Sequence, residues 1–177
     1  MQRLSEKQRT LATWWAGDSP YDGVIAEGAI RSGKTWAMVT GFLLWSQRRF
    51  SNRSFIVAGR TVGALKRNVV APMLAIVAEL GWSAHYNRSE LFIEVGTNTY
   101  YLFGAATEAS QDVLQGLTAA GCYADEVALF PESFVDQMVA RCSVEGSKLW
   151  FNCNPSYPTH FFKTEWVDRA DEKKLLH

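Results

Sequence analysis

The sequence predicts an α/β fold: a mainly parallel sheet with helices on both faces and an added antiparallel hairpin. Three observations predict it. Gly28-Ala29-Ile30-Arg31-Ser32-Gly33-Lys34-Thr35 reads G-x-x-x-x-G-K-T, a loop whose backbone N–H groups wrap a nucleotide's phosphates while Lys34 and Thr35 handle charge and metal. That loop follows a short apolar run, Gly23-Val24-Ile25-Ala26-Glu27, and precedes a stretch from Lys34 to Arg49 free of Pro and Asp, so it sits in the strand-loop-helix setting it requires. Beyond it, short apolar runs alternate with helical stretches, the pattern of parallel strands joined by crossover helices and buried on both faces.

Taken in order, Ser5 to Ala16 is an opening helix, with Ser5 as N-cap and Gln8 completing an S-x-x-Q capping box. Asp18 to Gly23 supplies a turn into the first strand. Ser54 to Gly59 is a second buried strand, after which Thr61 caps a helix running to Leu80, kinked at Pro72 and stopped by Gly81. Asn87-Arg88-Ser89-Glu90 turns into a hairpin of Leu91 to Val95 and Tyr100 to Phe103, joined by Gly96-Thr97-Asn98-Thr99. Thr107 to Gln115 is a short helix, Gly121 to Asp125 a strand, Pro131 to Cys142 a helix with Pro in its first turn, and Lys148 to Asn152 a last strand. A chain of 177 residues suits one domain with a single core, spanning 1–177.

Composition narrows the class. With 47% apolar and 20% charged residues the chain is globular rather than disordered or fibrous. The polar start lacks the apolar core of a signal peptide, and the longest apolar stretches reach about half of a bilayer span, so no membrane association is expected. Three cysteines, Cys122, Cys142 and Cys153, form an odd set without ligand spacing, which fits a reducing, cytoplasmic setting. Net charge is zero, yet no Asp or Glu occurs from Gly28 to Ala78 while eight Lys or Arg residues do. Beyond Arg31 and Lys34 these are Arg48, Arg49, Arg53, Arg60, Lys66 and Arg67, readable as a polyanion-facing set or as a solvated basic face.

Residues for chemistry cluster around strand ends. Asp125 closes the Gly121 to Ala124 run and Glu126 comes at once after it, so Asp125 can serve the Mg²⁺ shell while Glu126 polarises the water that attacks a γ-phosphate. The bland reading is a strand-ending turn with two solvated acids; the phosphate loop favours the functional one. Asn152-Cys153-Asn154-Pro155 closes the last strand and belongs at the same carboxyl edge, where open α/β sheets bind ligands; Asn-Pro is equally a common turn. Arg31, Arg60 and Arg141 compete for stabilising charge on the transferring phosphoryl group, and surface ion pairs explain each as well. The capping box already accounts for Gln8. A nucleotide kinase shares the loop but not the need for paired acids, and the N-K-x-D of a GTPase is absent.

Together these residues resemble the N-terminal ATPase domain of the large terminase subunit of tailed bacteriophages, the motor that packages DNA into proheads. The resemblance rests on the ordered set of Gln8, Gly28 to Thr35, Arg60 to Val70, Gln115-Gly116 ahead of Asp125-Glu126, and Asn152 to Pro155 with Pro158, His160 and Phe162 after it. It implies a P-loop NTPase fold of the RecA-like (ASCE) type, with ATP and Mg²⁺ as ligands. Gln8 would contact adenine; Lys34 and Thr35 the phosphates and Mg²⁺; Asp125 the metal; Glu126 the water. Asn154 would belong to the motif coupling hydrolysis to DNA movement. Arg31 matches an arginine of the family's phosphate loop proposed to act in cis, and Arg141 is the candidate trans-acting arginine. The implied partners are double-stranded DNA, a homo-oligomeric ring, the small terminase subunit and the portal of the prohead. The family's large subunit also carries an RNase H-like nuclease domain that this chain does not reach, so no nuclease activity is expected of it. A helicase-type motor and a nucleotide-binding scaffold without turnover are the alternatives that the residues leave open.

Overall fold

Local sequence sets the helix ends. In a computed structural model, which describes residues 4–28, 33–154 and 158–177, Ser5 caps α1 (Glu6–Thr13) and both bonds of the capping box with Gln8 are made. The second helix, α2 (Lys34–Arg49), starts at Gly33, whose φ of 74° is a left-handed conformation that a side chain would strain. The segment after the second strand is one continuous helical run capped by Thr61, and the disturbance at Pro72 takes the form of a π-helical turn. Thr61 caps α3 (Val62–Leu65), a π-helical turn spans Lys66–Val70, and α4 (Ala71–Glu79) continues from it. Pro72 explains the interruption: with no N–H to give the Asn68 carbonyl, the preceding turn widens, and the Ala71 N–H reaches back five residues to Lys66. The last full helix is α5 (Glu132–Arg141), with Pro131 at its N-cap.

The apolar runs become strands β1 (Gly23–Glu27), β2 (Ser54–Gly59), β3 (Ala84–Asn87), β4 (Phe92–Val95), β5 (Asn98–Gly104), β6 (Gly121–Asp125), β7 (Lys148–Cys153) and β8 (Leu175–Leu176). They form one sheet in the order β3-β4-β5-β2-β6-β7-β1-β8. Among the described residues only β3-β4 and β4-β5 pair antiparallel; the hairpin therefore extends the parallel sheet through β5, which lies beside β2. Its loop is tighter than the sequence suggests, because Asn98 belongs to β5: its buried amide donates to the carbonyls of Ser46 at 3.2 Å and Phe50 at 3.0 Å. Strand β3, largely exposed, and the two-residue β8 carry too little apolar alternation to be read in advance.

Side chains alternate across the pleat. On one face Tyr123 and Trp150 pack under α2, where Phe42 lies within 6.0 Å, ring to ring, of Trp45, Phe55, Tyr100, Tyr123 and Trp150. On the other, Cys122, Ala124 and Phe151 pack against Phe134 and Met138 of α5 and against Phe162 and Trp166. Because β7 lies between β1 and β6, the strand feeding the phosphate loop is separated from the acid-bearing strand by one strand whose own end carries Asn152. No helix among the described residues is long and apolar enough to cross a membrane.

A candidate nucleotide site at the carboxyl edge of the sheet

The parallel strands end together, and the pleat decides which terminal residues meet. Two residues beyond Tyr123 and Trp150, Asp125 and Asn152 point to the α2 face, and the register sets them opposite each other. Asn152 Nδ2 donates to Asp125 Oδ1 at 2.7 Å and lies 3.2 Å from Thr35 Oγ1 in the first turn of α2. One buried amide thus ties the hydroxyl of the phosphate loop to the carboxylate of β6. Asp125 is 5% exposed. Burial pushes its carboxyl up; the Asn152 amide opposes this, Glu126 adds to it, and the Asn68 amide and Lys34 oppose it. A solvated turn acid would show none of this.

Lys34 is held back from open solvent. Its Nζ donates to the Gly28 carbonyl, and to that of Cys153 at 3.3 Å. Burial lowers its pKa, while charge from Cys153, Asp125 and Glu27 works the other way. The ammonium therefore bridges the two ends of the phosphate loop across to β7. It stands at the N-terminus of α2, where the unpaired N–H groups and the helix dipole favour an anion.

Glu126 adopts φ 56° and ψ 42°, a left-handed conformation that costs a non-glycine residue about 1–2 kcal/mol. The chain turns sharply there into a short 3₁₀ turn, Val127–Leu129, closed by the Leu129 N–H on the Glu126 carbonyl at 2.8 Å. Val127 is buried, whereas Glu126 is half-exposed next to buried Asp125. Strain of this kind concentrates at functional sites.

The oxygens of Thr35 and Asp125 make a small, hard donor set, and no group of three or more His, Cys, Asp or Glu residues that could hold a metal occurs among the described residues. That set fits Mg²⁺, which takes one or two protein oxygens and fills its remaining positions with water and substrate phosphate.

Of the other residues singled out from sequence, Ala29, Ile30, Arg31, Ser32 and Pro155 lie outside the described residues. Gln8 does more than cap: its Oε1 accepts from the Ser5 N–H at 2.9 Å, and its Nε2 lies 2.3 Å from where a Cβ on Gly33 would stand, so its amide abuts the phosphate loop. Asn154 lies just past β7 at the same edge. Arg141 does not come to this edge. It ends α5, its carbonyl accepts from the Ala119 N–H just ahead of β6, and its Nη2 donates to Gln137 at 3.2 Å; the length of α5, about 15 Å, separates it from the site in its own chain. The basic set also divides: Arg48, Arg49 and Arg53 lie at the amino edge of the sheet, Arg60, Lys66 and Arg67 at the carboxyl edge. Asn152 was not singled out by sequence as a partner of Asp125.

A family model for the N-terminal part of the terminase large subunit, T4-like-virus type, matches residues 25–175. The chain belongs to this terminase family. The large terminase of the thermophilic bacteriophage D6E shares 47% identity with it and superposes with a TM-score of 0.94, over 99% of this chain and 45% of that one. The D6E terminase in complex with ADP gives 45% identity and a TM-score of 0.93, over 99% and 44% of the two chains. In complex with ATP-gamma-S it gives 44% and 0.91, over the same shares. This terminase chain thus spans less than half the length of its D6E relative. The ATPase domain of the Thermus phage P74-26 large terminase, at 17% identity and a TM-score of 0.60 over 88% of this chain and 71% of that one, shares the fold. A search of curated protein sequences finds no match.

Proposed function

We propose that this terminase chain is a single nucleotide-binding domain that hydrolyses ATP with Mg²⁺ and thereby drives double-stranded viral DNA into a prohead. The observation that carries the proposal is the Asn152 amide shared by Thr35 and Asp125, with Glu126 strained into the same edge. The D6E relative crystallised with ADP and ATP-gamma-S supports the choice of nucleotide.

Positions at the carboxyl edge support the roles of Lys34, Thr35, Asp125 and Glu126, and the family resemblance supports those of Gln8, Arg31 and Asn154. Lys34 leaves the Gly28 and Cys153 carbonyls for the β- and γ-phosphates. Thr35 and Asp125 hold the Mg²⁺, which supplies charge neutralisation of the phosphates when bound. Glu126 accepts the proton of the water whose oxygen bonds to the γ-phosphorus as the bond to the β,γ-bridging oxygen breaks, leaving ADP and inorganic phosphate. Gln8 supports the adenine side of the site from against Gly33, Arg31 acts within the phosphate loop, and Asn154 couples turnover to DNA movement. The working form is a homo-oligomeric ring recruited to the portal with the small terminase subunit, in the host cytoplasm. Arg141, packed at the far edge of its own sheet, has a place in this scheme only at a neighbouring subunit.

Steady-state ATP hydrolysis with Mg²⁺ and duplex DNA tests the proposal. Glu126→Gln should retain Mg·ATP-gamma-S binding and lose turnover by about 10²–10⁴-fold, the range for a positioned general base. Undiminished turnover would remove Glu126 from the water.

A further inference from the structure

Two tyrosines are fully buried under α2, and they are not alike. The Tyr100 hydroxyl lies 2.6 Å from the Ser46 hydroxyl and accepts from the Gln47 amide at 2.9 Å. It is satisfied as a core phenol should be, since a buried polar group without a partner costs stability. Tyr123 is just as enclosed, yet its hydroxyl has no hydrogen-bond partner among the described residues.

The place of Tyr123 in the sheet bears on that difference. The register that sets Asp125 opposite Asn152 also sets Tyr123 opposite Trp150, two residues earlier on each strand. Tyr123 therefore projects from the same face as the polar pair, one step below it. Its ring lies 5.8 Å from that of Phe42, which follows Thr35 by two turns on α2. That places the phenol in the aromatic layer immediately under the Thr35–Asn152–Asp125 set. Burial pushes its pKa well up, the Asp125 charge adds to this, and the Asn152 and Thr35 side chains oppose it, so the hydroxyl keeps its proton at neutral pH. Trp14 and Trp150 leave their indole N–H groups unpartnered in the same layer, but an indole can only donate. A phenol can also accept.

We propose that the Tyr123 hydroxyl is a positioning group for the metal nucleotide, the acceptor held for the Asn152 amide once Thr35 turns its oxygen to Mg²⁺. The proposal rests on the assignment of Thr35 and Asp125 to the metal. Without nucleotide, the Asn152 amide serves Asp125 Oδ1 at 2.7 Å and Thr35 Oγ1 at 3.2 Å, and the phenol goes without. The longer bond is the one that yields. When the Thr35 oxygen serves the metal, the N–H it releases passes to the Tyr123 hydroxyl, so Asn152 stays in place and keeps the Asp125 carboxylate aimed. One hydroxyl thus weakens the empty protein and steadies the loaded one.

Tyr123→Phe removes the hydroxyl and keeps the ring. In thermal melts without nucleotide this variant should unfold at least about 2 °C above the wild type, because an unpartnered buried group is gone. In calorimetric titrations it should bind Mg·ATP-gamma-S at least about fivefold more weakly, with no such fall for ATP-gamma-S in EDTA. Tyr100→Phe, which loses two bonds in place of none, should do the reverse: melt below the wild type and bind Mg·ATP-gamma-S as the wild type does. A Tyr123→Phe chain that melts below the wild type, or binds Mg·ATP-gamma-S equally well, overturns the proposal. So does an equal loss of affinity with and without Mg²⁺, or an equal loss in Tyr100→Phe, either of which would make Tyr123 a packing residue. Failure of the wild type to bind Mg·ATP-gamma-S would instead overturn the nucleotide reading itself.

Discussion

At the carboxyl edge of the sheet, polar groups are buried against one another: Asp125 with Asn152 at 2.7 Å, Thr35 on the same amide, Lys34 on two backbone carbonyls, and Glu126 in a left-handed turn. At the amino edge, cations are spread over aromatic rings and chain ends. The Arg48 guanidinium lies 5.8 Å from the Trp15 ring and the Lys148 ammonium 5.1 Å from that of Trp14, while Lys148 also bonds the Tyr21 carbonyl. Burial lowers the Lys148 pKa there too, yet no carboxylate among the described residues shares a hydrogen bond with it. Both edges bury charge. Only one brings opposite charges, a hydroxyl and an amide to a common point; left-handed non-glycine residues occur at both, Glu126 at the carboxyl edge and Asn52 and Lys174 at the amino edge. That difference separates a site from a scaffold more sharply than the number of charges does.

The widest gap should appear between Glu126 and Arg141. With the chain dilute enough to stay monomeric in the hydrolysis assay, Arg141→Ala should leave turnover far closer to wild type than Glu126→Gln does, and instead lower the melting temperature, since the buried Arg141 Nε and its Gln137 partner belong to packing at the amino edge. Equal falls in turnover for the two variants would break the distinction between the edges. Next comes the core beneath both: Phe42→Ala removes a ring touching five others and should cost about 3–5 kcal/mol in denaturant unfolding. A smaller cost would mean that α2 is not what anchors the edges to one sheet.

A pH series sharpens the comparison further. Because burial holds the Asp125 carboxyl above its ordinary value, its contribution to stability is fully present below the unfolded pKa of about 3.9 and is lost as pH rises through the higher folded value. At neutral pH the ionised carboxylate therefore weakens the nucleotide-free protein. Asp125→Asn should melt higher than wild type at pH 7, with the difference vanishing in acid. A variant that melts lower at pH 7 would show that the carboxylate is already compensated without a ligand. The smallest effect belongs to α1: Ser5→Ala removes the N-cap oxygen and should cost about 1 kcal/mol, with ATP affinity reduced as well only if Gln8 depends on the cap for its position against Gly33.

Much of the molecule is legible in the residues themselves. The G-x-x-x-x-G-K-T loop, the Asp125-Glu126 pair and the bounds of β1, β2, β6 and α2 come from local pattern, because turn chemistry and apolar runs are local. What pattern does not carry is register. Asn152 and Asn154 lie on the same side of an extended chain, and only the pairing of β7 with β6 shows that Asn152 meets Asp125. The basic residues between Gly28 and Ala78 look like one set because they are close in sequence, yet α2 carries Arg48 and Arg49 to one edge and β2 returns Arg60 to the other.

The motor function stands or falls with the carboxyl edge binding a metal nucleotide through Lys34, Thr35 and Asp125. Calorimetric titration of Mg·ATP-gamma-S into wild type and Lys34→Ala is the decisive measurement. The wild type should bind in a Mg²⁺-dependent manner, and the variant should bind at least about tenfold more weakly, as removing a charged hydrogen bond worth about 1.5–3 kcal/mol requires. Equal affinity in the two proteins, or wild-type binding indifferent to Mg²⁺, would contradict that assignment.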